Sequence, residues 1–210
     1  PSHRPARDQI PDRLRPLTEL GLTHLAHASA VLQEAVNTGM CLSWGWATWD
    51  PRPLHAALDT KAGVLPSPQA LMTRAGLLVP ADVLDSAQHL ATMFGIGESA
   101  RWGMSPFGGR ADHPIWERVN PRRFLTPNQN ASCAQAIFRT AFELPPVDRI
   151  AVGTDDPRHL DELLAAVELP VDQAAIARYR QLLRARGDQD RSRGISSEAT
   201  RRAGSSNGPE

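Results

Sequence analysis

Two short stretches carry residue types that can hold an anion. SPFGGR, Ser105 to Arg110, sets paired glycines after an apolar run, and a glycine turn at a strand end lets backbone amides approach a phosphate closely. GTDDPRHLDE, Gly153 to Glu162, starts a helix directly after the apolar run Ile150–Val152. The free amides and positive dipole end of such a helix suit negative charge. Each stretch also has a plainer reading, Gly108–Gly109 as a simple turn and Asp155 or Asp156 as an N-cap. Groups for proton transfer are scarce: Tyr179 is the only tyrosine, and Lys61 is the only lysine against 22 arginines. Tyr179 falls in an amphipathic helical pattern and Lys61 in a loop. His24 and His27 share a helix at i,i+3 with no third ligand at matching spacing, so no metal site is expected. Cys41 and Cys133 read as small apolar groups, and no nucleophile–base pattern surrounds them. Asp112–His113 beside Trp116 is a surface loop or, less simply, a substrate loop.

These residues need elements to position them. THLAHASAVLQEAVNTG fits a helix capped by Thr23 and closed by Gly39, with Leu25, Ala28, Leu32, Ala35 and Val36 as its apolar stripe. CLSWGWATWD reads as a buried strand with Trp44 and Trp46 on one side and Trp49 on the other. PRPLHAALD is a short helix, TKAGVLPSPQ a loop and ALMTRAGLLV a second strand. ADVLDSAQHLATMFG is a helix capped by Asp82 and stopped by Gly95, with Val83, Leu84, Ala87, Leu90, Ala91 and Phe94 on one side. RWGMSPFGG is a strand ending in its glycine turn, and the following stretch to Ala131 is irregular. SCAQAIFRTAFELP is a helix with Ser132 as cap. RIAVGT is a strand and DPRHLDELLAAVEL a helix. VDQAAIARYRQLLRAR closes the folded part, with Ile176, Tyr179, Leu182 and Leu183 inward. Residues 187–210 are polar and rich in Gly and Ser, the composition of a disordered tail.

Helix and strand alternate about four times, which calls for parallel strands joined by crossover helices. Four such units make a flavodoxin-like sheet or half of an eight-stranded barrel. In barrels the phosphate site lies at the ends of the last two strands, and the two glycine turns come in that order and place.

Composition narrows the class. The chain has 210 residues, 41% hydrophobic and 22% charged, with a formal net charge of zero. That is a soluble globular mixture with no electrostatic drive toward nucleic acid or an anionic membrane. No apolar run reaches the length of a membrane span. No secretory signal is read at the start, so a cytoplasmic location with reduced cysteines is expected. The chain opens on Pro1, which implies either a removed initiator methionine or residues missing upstream.

The segment IAVGTDDPRHLDELLAAVELPVD, preceded by FELPPVDR, resembles the closing strand and helix of aldo/keto reductases. SPFGG is similar to that family's seventh-strand turn, and WGWATWD falls where the family has its fifth strand. The resemblance covers roughly residues 22–186. It implies the C-terminal half of a (β/α)8 TIM barrel, about four β/α units plus a C-terminal helix, within a partial-barrel domain of residues 1–186. It also implies NADP as cofactor, with NAD possible, and a small carbonyl compound as substrate of the intact protein. Carried over position by position, Ser105, Phe107, Gly108 and Gly109 would touch the pyrophosphate. Gly153, Thr154 and Asp155 would lie along the adenosine ribose, His159 would face the 2′-phosphate, and Glu162 would bind the adenine amine. Thr48 would keep one hydrogen bond to the nicotinamide amide.

Several positions depart from the family's pattern. Gly153 stands where the family has lysine, Leu163 where it has asparagine, and Ala47–Thr48 where it has Ser-Asn. Asp155 and Asp156 would repel a 2′-phosphate, with Arg158 as the compensating charge. The second strand lacks the family's nicotinamide-stacking aromatic and offers Arg74. The family's catalytic aspartate, tyrosine, lysine and histidine belong to its first four units. Neither Tyr179 nor Lys61 falls there, and His3 lies too far into the opening loop to match. The chain thus reads as the cofactor-binding half without catalytic residues of its own. Its expected partner is an N-terminal half barrel, or a second copy when it is alone. The alternative is a non-catalytic nucleotide-binding or interaction module, for which the altered contacts speak.

Overall fold

The computed structural model describes residues 16–60 and 65–204; His3, Lys61 and the end of the polar tail lie outside them. In chain order the elements are α1 (Glu19–Asn37), β1 (Gly45–Thr48), α2 (Arg52–Thr60), β2 (Ala70–Arg74), α3 (Ala81–Met93) and β3 (Arg101–Met104). They continue as α4 (Ile115–Val119), α5 (Cys133–Ala141), β4 (Arg149–Ala151), α6 (Pro157–Val167) and α7 (Gln173–Gly204). The strands form one parallel sheet in the order β1-β2-β3-β4. Each strand is laid down beside its predecessor, with no reversal of order. A doubly wound sheet needs such a reversal, so the arrangement is four consecutive units of a (β/α)8 barrel.

Register divides the sheet into two faces, because partners across parallel strands point the same way. Trp46, Leu71 and Thr73 face the helices and are buried. Ala47, Met72 and Trp102 form a row on the opposite face, where Ala47 is exposed and the other two are half-buried. Met104 and Ala151 continue that face. Among the described residues β1 and β4 each pair on one side only.

One core lies over β1 and β2, built from Trp44, Trp46, Leu58, Leu71 and Leu90. A second, with Leu77, Val83, Leu84, Trp116, Ile137 and Ile176, joins α3, α4, α5 and α7. The tryptophans explain a shift in α1. Its start is capped by Thr18, whose hydroxyl accepts from Gly21 N, while the Thr23 hydroxyl donates to the Glu19 carbonyl. The helix buries Leu22 and Ser29 most deeply, packs Leu25 and Val36 of the expected stripe against the same core, and leaves Ala28 and Leu32 exposed. Buried indole N–H groups need acceptors. Trp46 Nε1 donates to Ser29 Oγ at 3.3 Å and Trp44 Nε1 to Gln33 Oε1 at 3.0 Å.

Other elements depart from the sequence pattern for similar reasons. Pro80 takes the N-cap of α3, and Asp82 instead pairs with Arg52. The irregular stretch contains α4, and its Trp116 is buried with Nε1 donating to the Arg110 carbonyl at 3.0 Å. Leu182 is exposed on α7, whereas Ile176, Tyr179 and Leu183 pack inward. The helix α7 continues to Gly204, into the stretch that composition assigns to a polar tail. Between Val171 and Gly204 there is no proline to break the helical hydrogen bonding.

Candidate functional site

The strand register brings the expected site residues to one edge. Thr48, Thr73 and Gly103 are in line across β1, β2 and β3, and Met104 lies opposite Ala151 of β4. Thr48, the 105–109 turn and the 153–156 turn therefore all sit at the C-terminal edge of the sheet. The turns following β3 and β4 are neighbours.

The β3 turn is shaped by unusual backbone. Ser105, Gly108 and Gly109 all have positive φ, 55°, 60° and 126° respectively, and Gly108 N donates to the Ser105 carbonyl at 3.0 Å. A side chain at Gly109 would meet open space, so there it is the φ that requires glycine. A Cβ at Gly108 would stand 2.9 Å from Leu78 Cδ1. The Phe107 ring turns inward and stacks on Phe138 with centroids 6.5 Å apart. Phe107 therefore anchors the turn to α5. Gly108 and Gly109 are exposed, and the space beside Gly109 is open, while the Gly108 amide is taken by the Ser105 carbonyl.

The α6 turn fits a phosphate less well. Asp156 is the N-cap, its carboxylate accepting from Arg158 N at 2.9 Å and from the Arg158 guanidinium at 2.8 Å. Thr154 Oγ1 accepts from Asp156 N at 3.2 Å. The Arg158 guanidinium hydrogen-bonded to Asp156 holds that carboxyl below its usual range. His159 Nε2 stands 4.0 Å from the same carboxylate. The positive helix end is thus already neutralised from within the chain. Gly153 and Asp155 are exposed beside it.

Glu162 has a partner that the sequence did not reveal. Its carboxylate accepts from the hydroxyl of Ser132, and its carbonyl accepts from Gln135 Nε2 at 3.1 Å. Ser132 is at once the N-cap of α5, in a capping box with Gln135. Glu162 therefore ties the start of α5 to α6.

At β1 and β2 the same edge carries a charged cluster missed from sequence. Arg52 bridges Asp50 and Asp82, both at 2.8 Å. Burial pushes the Asp50 carboxyl up, but the Arg52 hydrogen bonds and charge outweigh it and hold Asp50 below the usual range. Arg74 Nε donates to the Trp49 carbonyl at 2.8 Å, and its guanidinium lies 5.2 Å from the centre of the Trp49 ring. Arg74 thus stacks on this chain's own tryptophan. Thr48 Oγ1 donates to the Asp50 carbonyl at 2.9 Å, which leaves its lone pairs open to a donor. The signal was present in the spacing Trp49-Asp50-x-Arg52, read only as strand end and helix start.

Tyr179 Oη donates to the Leu77 carbonyl at 2.6 Å, and burial raises its pKa. Asp112 is exposed and held by Arg110 at 2.6 Å, and His113 accepts from Ile115 N at 3.1 Å. With Trp116 and Cys133 they border an open depression of about 480 Å³.

No family model and no curated protein matches the sequence. Among solved structures, the chain is similar to the aldo-keto reductase AKR11C1 from Bacillus halodurans. Its holo and apo forms both superpose with a TM-score of 0.51 at 14% identity. The match covers 74% of this chain, which spans about half of that enzyme, 54% of the holo chain and 55% of the apo chain. At this identity the likeness is one of fold: four of the barrel's β/α units. Among the described residues no helix is long and apolar enough to cross a membrane.

Proposed function

We propose that the chain is the cofactor-binding half of an NAD(P)H-dependent carbonyl oxidoreductase of the aldo/keto reductase type, working in the cytoplasm with a complementary half barrel. One observation carries this reading. The turn at the C-terminal end of β3 carries the positive-φ glycines Gly108 and Gly109, and the neighbouring turn after β4 exposes Gly153, Thr154 and Asp155. The pyrophosphate would lie along Ser105, Gly108 and Gly109, with the Gly108 amide already bonded to the Ser105 carbonyl, the ribose along Gly153–Asp155, and the nicotinamide toward Thr48. When bound, the cofactor supplies the hydride, and this chain's residues bind and orient it.

The carboxylates choose between the two cofactors. An acidic residue suits a ribose 2′-hydroxyl and opposes a 2′-phosphate. Asp155 and Asp156 flank that position, and Arg158 is already committed to Asp156. NADH is therefore expected to bind at least as tightly as NADPH. Fluorescence titration of the tryptophans with each nucleotide measures this, and a clear NADPH preference would contradict the electrostatic argument.

Glu162 tests the adenine end. Glu162→Ala is expected to weaken cofactor binding by about 1–2 kcal/mol, the scale of one buried hydrogen bond. Ser132→Ala provides the control, because it loses the cap and the contact to Glu162 while keeping the carboxylate. If both variants lower stability equally and neither changes cofactor affinity, Glu162 is only a brace between α5 and α6.

A second reading is a non-catalytic interaction module. Asp156 filling the α6 N-terminus and Ser132 holding Glu162 favour it. A chain that binds neither nucleotide would decide for this reading.

A further inference from the structure

We infer that His55, Asp59 and His89 form a divalent-metal site between α2 and α3, and that zinc is the ion it suits. His55 and Asp59 lie four residues apart on α2, so they share one face, and His89 projects from α3 against them. His55 Nε2 is 3.3 Å from Asp59 Oδ2 and His89 Nε2 is 3.4 Å from Asp59 Oδ1. One donor atom from each residue falls within 4.8 Å of the others. Zinc ligands at about 2.0–2.2 Å in a tetrahedron stand roughly 3.3–3.5 Å apart. Both separations have that spacing, but they run to different oxygens of Asp59, so the carboxylate would turn to present one oxygen to the ion.

The orientation of His55 supports an ion over a hydrogen bond. Its Nε2 is buried and has no hydrogen-bond partner, although Asp59 is near. The approach is close but misdirected for an N–H donor. The other ring nitrogen, Nδ1, is 3.2 Å from Ser86 Oγ. A proton on Nδ1 donated to that hydroxyl leaves the Nε2 lone pair free, which is how an outer partner prepares a metal-binding imidazole. Two neutral imidazoles and one carboxylate are a common zinc donor set. His89 and Asp59 are 50% and 51% exposed, so water can complete the coordination.

The site begins about one turn along α2 from Arg52. Asp59 and His89 stand in the second halves of α2 and α3, and helices after parallel strands run back antiparallel to them, so the group lies below Arg52 and Asp82 on the same two helices. Zinc there would clamp two helices of the outer layer. The inference is independent of the oxidoreductase reading.

The test uses the untagged full chain, stripped of metal and titrated with zinc alone against a chromophoric chelator. One equivalent is expected to bind, with a melting temperature raised by several degrees through linkage. Cobalt in its place should show the intense visible bands of four-coordinate geometry. His89→Ala, at a half-exposed position that should fold, is expected to weaken zinc binding at least about tenfold and to abolish the thermal gain. His55→Ala should do the same, and His24→Ala, on α1, should change neither. Absence of stoichiometric zinc binding at micromolar concentration, or binding and thermal gain unchanged in His89→Ala, would overturn the inference.

Discussion

The purified chain, supplied with NADH or NADPH and an aldehyde, is expected to bind the nucleotide and leave the carbonyl unreduced. Carbonyl reduction needs a group that gives a proton near neutral pH as the oxygen becomes an alkoxide. The single tyrosine cannot be that group. Its hydroxyl donates to the Leu77 carbonyl between α7 and the end of β2, and burial raises its pKa where catalysis needs it lowered. A rate above the uncatalysed background that Tyr179→Phe abolishes would refute this assignment. The same residue gives a pH test. Its folded pKa lies above the unfolded value, so its contribution to stability is complete below about pH 10 and is lost as pH rises through the folded pKa. Because there is one tyrosine, phenolate absorbance is unambiguous. It should develop later than in the unfolded chain, and coincidence of the two titration curves would contradict the buried hydroxyl.

Gly76→Ala is expected to be the most damaging small substitution, costing roughly 2–5 kcal/mol through backbone strain and overpacking together. Gly76 has φ of 130°, a conformation that an L side chain rarely takes. A Cβ there would stand 2.7 Å from the Pro106 carbonyl oxygen, and backbone cannot swing aside as a side chain can. Gly76 N also donates to the Leu144 carbonyl at 2.7 Å. The residue therefore presses the end of β2 against the turn that follows β3. Its replacement should lower the urea midpoint and, through displacement of Pro106, weaken nucleotide binding as well. Gly109→Ala is the useful contrast. Its φ is also positive, but its Cβ meets nothing, so its cost should be the strain alone.

Much of the fold was legible because periodicity reports burial. Val83, Leu84, Leu90 and Ala91 mark one side of α3 in the sequence, and all four are buried. The four alternating units follow in the same way, as does the Ser132 cap. What sequence left open was set by partners distant along the chain. The inward face of α1 is set in part by two indole donors, Trp46 on β1 and Trp44 just before it. Ser132, read as a cap alone, also donates to Glu162, 30 residues away. Asp82, read as a cap, was claimed by Arg52, and Phe107 was drawn into the core by Phe138. The His55–Asp59–His89 grouping was half visible as an i,i+4 pair on a helix, but its third member becomes apparent only when α2 and α3 pack. At the C-terminal edge of the sheet, the glycines were readable because positive φ has a compositional signature. The occupation of the α6 N-terminus by Asp156 was weighed as a cap, yet its pairing with Arg158 needed coordinates.

The row Ala47, Met72 and Trp102, and the outer edges of β1 and β4, carry a thermodynamic consequence. In a complete barrel such a row would be interior and both edges would be hydrogen-bonded. If a second copy or a complementary half supplies those contacts, part of the folding free energy becomes bimolecular. The melting temperature of this chain would then rise with the logarithm of its concentration, and a single value measured at one dilution would not describe the molecule. A melting temperature that stays constant across a hundredfold dilution series, on the order of micromolar and below, would mean that the four units hold their own weight.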